Sequence, residues 1–432
     1  MKFEIPRGMR DLQPKEYQVI EVIKQKFFDT AGLFGFNLME PSPLESLSTL
    51  EVKSGSAIKQ EIYGFKDKGG RDIALRFDLT IGLTRYVTSR RDMRLPVKLA
   101  SFGGMFRYDE PQLGRYRWFH QWDVEIYDSF NLESDAEVIE FTAMYLESLG
   151  LDVVIDVCDR ELLEDFICSK LHVSDNDTLL EMLRAVDKVP KKGDKAVLKE
   201  YSEKGFDTKK LEALVQLATL KGNTDKVLSD DRIKDLNKTG KLEDIMDSLK
   251  AREVKNARIN MGIVRGLDYY SGIVFEVFDK SGDGGALVGG GRYDTLTAAF
   301  GRSDMGATGA AGGIERMVPI LLKKGSADRK LPNKSVFVAY VHDDLKQKAM
   351  NMVSSFRRNG MISEFDMSNH PLKKQLEEAS KRGYMFTAIL APEELSRNEL
   401  IVRNMETGSE FKLKLDDFTK DPKTWLESNL RP

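Results

Sequence analysis

The spacing of apolar residues divides the chain into a few clear regimes. In "PKEYQVIEVIKQKFFDTAG" the residues Tyr17, Ile20, Ile23, Phe27 and Ala31 recur at helical spacing and predict an amphipathic helix. Short strand-like runs and turns follow to about residue 130. "SDAEVIEFTAMYLESLG" then opens on Ser134 and Glu137, a capping-box pair, and ends at Gly150, which predicts a second helix. From about 159 to 252 strand-like runs give way to segments such as "NDTLLEMLRAVDKV" and "LEALVQLATLKG", predicted to be short helices between Gly, Asn and Asp turns. Strands return from 255 to 300, before the Gly/Ala-rich "MGATGAAGGIERMVPILL". "KKGSADRKLPN", Lys323 to Asn333, has linker composition. Beyond it "SVFVAYV", "MISEFDM" and "MFTAILA" alternate with two helical segments, which predicts a small α/β unit with a largely parallel sheet.

Composition narrows the class without deciding it. The 432 residues suffice for two or three domains, and 41% hydrophobic with 31% charged residues describes an ordinary globular chain. A net charge of -3 gives no global attraction to nucleic acid, so any such contact must be local. Cys158 and Cys168 have no metal-type spacing, and no secretory leader precedes them, which points to a reduced cytoplasm. No apolar run approaches the ~20 residues that span a bilayer, so no membrane association is expected. The four histidines are scattered and form no metal cluster.

Three stretches carry more polar residues than a plain core tolerates. "ALRFDLTIGLTRY" sets Arg76, Asp78, Thr80 and Arg85 in an apolar run. "FRYDEPQLGRYRWFHQWDVEIYD" supplies Arg107, Asp109, Arg115 and Arg117, then Gln121, Asp123 and Glu125 two apart, on one face of a strand. Its Pro-Gln-Leu-Gly centre predicts a hairpin. "RGLDYYSGIVFEVFD" heads a buried-type strand with Arg265, Tyr269 and Tyr270, and "GGALVGGGRYD" follows it. Burying so many charges is costly unless they pair with one another or with a charged ligand. Together they predict a pocket for a polyanion and a small cationic or polar group. The glycine run lacks any Walker or Rossmann context and reads as close backbone approach to a ligand. Lys188, Lys191, Lys192, Lys195 and Lys199 form one basic run, a solvated helix face or a phosphate contact.

These residues carry a resemblance. "PRGMRDLQP", "FRYDEPQLGRYRWFHQWDVE" and "GAAGGIERM" are similar to an N-terminal signature and to the second and third motifs of class II aminoacyl-tRNA synthetases. "RGLDYYSG" and "GGGRYD" resemble the two boxes peculiar to the histidyl-tRNA synthetase family, and "HPLKKQLEEASKRG" resembles its anticodon-binding unit. The resemblance implies an α+β fold. It comprises a catalytic domain over 1–325, built on an antiparallel sheet flanked by helices, with a helical insertion over 159–252 and an α/β anticodon-binding domain over 333–432. It implies that Arg107, Asp109, Arg115 and Arg316 bind ATP. Asp78, Thr80, Gln121, Glu125, Tyr269 and Tyr270 would receive histidine, and Arg265 with Arg107 would stabilise the reacting α-phosphate. Asp78 stands where many members carry glutamate. The implied reaction is ATP-dependent ligation of L-histidine to tRNA(His) through an adenylate, with Mg²⁺ accompanying ATP, in a cytoplasmic homodimer. The alternative is a non-catalytic regulatory relative that partners ATP phosphoribosyltransferase.

Overall fold

The computed structural model describes residues 3–54, 56–108, 110, 116–128, 130–265, 269–281, 285–325 and 335–428. The chain forms two compact units, Met1–Ala327 and Asp328–Pro432.

The first unit is organised by a nine-stranded sheet. Its strands are β1 (Asn37–Leu38), β2 (Val97–Phe106), β3 (Trp118–Asp128), β4 (Val153–Asp159), β5 (Lys221–Gly222), β6 (Ala257–Asn260), β7 (Ile273–Asp279), β8 (Val288–Arg292) and β9 (Gly306–Gly313). Their order across the sheet is β1-β2-β3-β9-β8-β7-β4-β6-β5. The central run from β2 to β4 is antiparallel throughout. Strands β4 and β6 are parallel neighbours, and the helical segment is the excursion between them. It holds the helices Asn176–Lys192, Asp194–Glu203, Thr208–Ala218 and Thr239–Ala251, and it returns strand β5 to the sheet edge.

One face of the sheet is covered by the helices Pro14–Leu33, Leu132–Ser148 and Ile314–Lys323. Trp122 of β3 points into this layer, 5.5 Å from the ring of Phe27 and 5.1 Å edge-to-face from that of Tyr145. Truncating one of these fully buried aromatics to alanine is expected to cost about 3–5 kcal/mol. Two local expectations are corrected here. Tyr17 is half exposed and Val19 takes its place in the buried stripe with Ile20, Ile23, Phe27 and Ala31. The second helix starts earlier than Ser134, because Asn131 accepts the Glu133 amide and caps it.

The second unit is a five-stranded sheet of β10 (Ser335–Tyr340), β11 (Ile362–Phe365), β12 (Phe386–Leu390), β13 (Glu399–Asn404) and β14 (Glu410–Lys414), in the order β11-β10-β12-β13-β14. The first three strands are parallel and the last two antiparallel, so the sheet is mixed rather than largely parallel. Within this unit Asp366 takes the His370 ring nitrogen at 2.7 Å, and Gln375 bridges Tyr340 and His370 through backbone contacts.

Candidate active site

The uncovered face of β3 builds the floor of a cleft. Period-two alternation sends Trp122, Val124 and Ile126 into the helical layer and Gln121, Asp123, Glu125 and Tyr127 to the other side. The helix Thr80–Thr88 crosses that side. Its first turn is held by Asp78, whose carboxylate accepts the Ile81 amide at 3.1 Å. From this helix Thr80 donates to Asp123 at 3.1 Å, and the Thr84 hydroxyl lies 3.1 Å from that of Tyr127. Gln121 gives its amide nitrogen to Asp123 at 2.8 Å, while its oxygen receives Arg107 at 3.4 Å. A buried polar array of this kind is stable because its members satisfy one another.

Beside it, Tyr293 of the "GGGRYD" box donates its hydroxyl to Glu125. Burial pushes the Tyr293 phenol well above its ordinary range, and the Glu125 charge adds to the effect. Tyr293 therefore stays a neutral donor. Gly309 faces Glu125 across the β3–β9 ladder, and a Cβ there would lie 1.6 Å from the carboxylate oxygen. Glycine is what lets this carboxylate occupy the cleft. The rings of Tyr269 and Tyr270 lie 4.5 Å apart, with Tyr269 6.1 Å edge-to-face from Tyr293.

The cations come from three directions. Arg265 has φ 52°, a left-handed backbone uncommon for a side-chain-bearing residue. Its guanidinium is 2.9 Å from Glu276 of β7 and rests over Gly289 of β8, where a Cβ would meet Nη1 at 2.0 Å. Arg107 is fixed through Nε to the Phe77 carbonyl at 3.0 Å and lies 5.0 Å over the Phe119 ring. Arg316 holds the Ala286 carbonyl at 2.6 Å. Not every arginine of the polar stretches faces the cleft. Arg76 is buried on Glu40, Pro41 and Gly104, and Arg85 forks onto Glu45. Arg117 stacks 3.8 Å over Tyr108 and takes the Arg7 carbonyl.

The cleft has a volume of about 1100 Å³, and its walls include Asp78, Thr80, Arg107, Gln121, Glu125, Arg265, Tyr269, Tyr270 and Arg316. Asp109 and Arg115 lie outside the described residues. Three contributors carried no assigned role in the sequence: Tyr293, Glu276 and Asp123. Each had a signal, since Glu276 is a lone carboxylate inside an apolar strand, Asp123 alternates with Gln121 and Glu125 on one strand face, and Tyr293 sits in the histidine box. The glycine run is itself strand β8, and its close approaches are to Arg265, to the Phe275 ring and to the neighbouring strands' backbone at Gly309 and Ile273. Asp187 and Pro190, on the helix Asn176–Lys192, also reach the cleft wall. Of the basic run, Lys188 and Lys192 both pair with Glu200, at 2.6 and 2.8 Å. Among the described residues no group of three His, Cys, Asp or Glu side chains is placed to hold a metal ion.

The chain has counterparts among known proteins. The family model described as histidyl-tRNA synthetase matches residues 8–317. The chain belongs to the histidyl-tRNA synthetase family. A second model, an anticodon binding domain, matches residues 335–421. The histidine--tRNA ligase of Pyrococcus furiosus is 36% identical, over 98% of this chain and 99% of the relative. That of Helicobacter pylori is 32% identical over 94% of each chain. Among solved structures, the histidyl-tRNA synthetase of Nostoc superposes with a TM-score of 0.81 at 22% identity, covering 98% of this chain and 99% of that one. A Bacillus halodurans protein described as an ATP phosphoribosyltransferase regulatory subunit/histidyl-tRNA synthetase gives 0.72 at 21% identity, over 90% and 98%. At these identities the two structures speak for the fold alone.

Proposed function

We propose that this chain is a histidine--tRNA ligase that activates L-histidine with ATP and transfers it to tRNA(His). The observation that carries this reading is the convergence on one cleft of Arg107, Arg265 and Arg316 with the buried acceptors Asp78, Thr80, Gln121 and Glu125. Adenylate formation brings a carboxylate onto an α-phosphate, two anions whose developing charge needs fixed cations around it. Arg265 and Arg107 are the groups proposed to supply them, because both are anchored by the protein and still line the cleft. Arg316, which also lines the cleft, is proposed to hold the nucleotide, together with Asp109 and Arg115. Asp78 and Thr80 receive the α-ammonium, and Gln121 also contacts the amino acid. Glu125, fed by the neutral Tyr293, accepts an imidazole N–H, with Tyr269 and Tyr270 lining the ring. A buried acceptor left empty by a non-matching side chain is costly, which is how such a site rejects apolar isosteres.

The nucleotide is proposed to enter as its magnesium complex, since magnesium held by phosphates needs only one or two protein carboxylates. Residues 1–325 would be the catalytic domain, 159–252 its helical insertion, and 333–432 the anticodon-binding domain. Cytoplasmic location and a homodimer complete the proposal. The exposed two-residue edge strand Asn37–Leu38, with Leu33 and Leu44 also exposed nearby in sequence, supports a second copy pairing there. Among the described residues no helix is long and apolar enough to cross a membrane. The regulatory alternative is disfavoured because the chain keeps Arg107 and Arg265 and carries residues that match the anticodon unit.

The test is ATP–pyrophosphate exchange run with each of the twenty amino acids. Exchange that depends on histidine supports the ligase. Exchange with none of them sinks it.

A further inference from the structure

Asp123 has no part in the reading above, yet it organises one end of the cleft. It is fully buried on β3, between Gln121 and Glu125. Its Oδ2 accepts the Thr80 hydroxyl at 3.1 Å, and its Oδ1 accepts the Gln121 amide nitrogen at 2.8 Å. Both carboxylate oxygens are therefore used as acceptors. A threonine hydroxyl has a single proton, and here it is given to Asp123, so Thr80 can offer the cleft only lone pairs. The Gln121 carboxamide is fixed in the same sense. With its nitrogen turned to Asp123, its oxygen faces the side occupied by Arg107, which donates to it at 3.4 Å. Both Thr80 and Gln121 line the cleft, and Asp123 stands behind them.

We propose that Asp123 is a specificity-determining positioning residue that locks Thr80 and Gln121 into acceptor roles, so that the subsite between them takes a cationic ammonium. This rests on the proposed ligase function and adds to it the origin of selection at the amino-acid head group. Two neutral side chains that could each turn a donor or an acceptor to the cleft are made to turn an oxygen to it. A ligand without a donor at that point leaves their lone pairs unpaired. Asparagine at 123 would supply N–H groups, free the Thr80 hydroxyl to turn outward, and permit Gln121 to flip its nitrogen toward the cleft.

The experiment is histidine-dependent pyrophosphate exchange in the full chain and in Asp123→Asn, inhibited by two analogues. L-Histidinol keeps the ammonium and lacks the carboxylate, and imidazolepropionate keeps the carboxylate and lacks the ammonium. In Asp123→Asn the KM for histidine and the Ki for histidinol are expected to rise about tenfold or more, while the Ki for imidazolepropionate stays within about twofold, as loss of ammonium acceptors requires. The KM for ATP is expected to stay put. Equal weakening of both analogues would mean that Asp123 only supports the strand, and no change in either would mean that it sets nothing; both outcomes overturn the proposal. Thermal melting establishes folding, and Asp123→Ala, which also removes the two anchoring bonds, is judged on the same ratio of Ki values if the asparagine variant does not fold. Absence of histidine-dependent exchange in the unsubstituted chain would overturn the ligase reading instead, and this inference with it.

Discussion

Replacing Gly289 by alanine displaces Arg265 without removing it. The new Cβ would lie 2.0 Å from Nη1, 2.3 Å from Cζ and 2.7 Å from Nη2 of that arginine. Carbon and nitrogen need about 3.5 Å of separation, so the guanidinium must retreat by more than ~1 Å and surrender its present seat beside Glu276. The atoms that yield are the end of a flexible side chain, so the strand itself is expected to stay within about 1 kcal/mol of its present stability. Catalysis is less forgiving, since a misplacement of about 1 Å at a charge-stabilising group costs on the order of 10²-fold in rate. Single-turnover formation of histidyl-adenylate, followed by rapid quench alongside a thermal melt, separates the two effects. A variant that melts normally and forms adenylate within about threefold of the unsubstituted rate would refute the reasoning, because ~1 Å of forced movement would then not matter.

Three further outcomes are expected. Arg265→Ala should slow adenylation by about 10²–10³, and Arg265→Lys should recover little of it because a point charge does not reproduce the planar fork; recovery with lysine in the same single-turnover assay would count against a bidentate role. Asp159 is buried, and burial, opposed by the Lys241 charge, lifts its carboxyl from the ordinary 3.8 to about 6. A raised carboxyl stabilises the fold below its ordinary pKa and loses that contribution as pH climbs through the folded value. Urea unfolding should therefore show the native chain losing up to about 3 kcal/mol relative to Asp159→Asn between pH 4 and pH 7, and a pH-independent difference would refute this. Changing Lys191, Lys192 and Lys195 together to alanine should weaken tRNA binding and flatten its salt dependence while exchange is untouched; an unchanged slope assigns the run to a solvated face.

Much of the site was legible because a strand has a period of two. The sequence alone puts Gln121, Asp123 and Glu125 on one face, and the structure has them there. Asp78 and Thr80 were readable as polar intruders in an apolar run. What stayed hidden depended on partners distant in sequence. Nothing local to Arg76 or Arg85 announces Glu40 and Glu45, so all the arginines of those stretches looked equally free for a ligand. The pairing of Glu276 with Arg265 spans two strands and a left-handed residue. Strand β8 gives no strand signal of its own because glycine has poor strand propensity, and neighbours on both sides hold "VGGGR" extended. The last two strands of the second unit, "ELIVRN" and "EFKLK", are short and carry several charged residues, so they stand out less than the three apolar runs before them. The helix start fell at Asn131 rather than Ser134 because "NLESDAE" offers two caps, and only packing chooses between them.

The paired strands β8 and β9, "VGGGR" and "GATGAAGG", have a consequence for how this protein should be mutated. A search that truncates side chains one at a time to alanine presumes that function resides in what is present. Along these two strands the floor of the cleft owes its shape to carbon atoms that are missing: Gly289 yields room to a guanidinium and Gly309 to a carboxylate. Alanine there is an addition, and the smallest one available. A conventional scan would count those positions as mild substitutions. A scan of additions, glycine to alanine and alanine to serine, would trace the outline of the substrates instead.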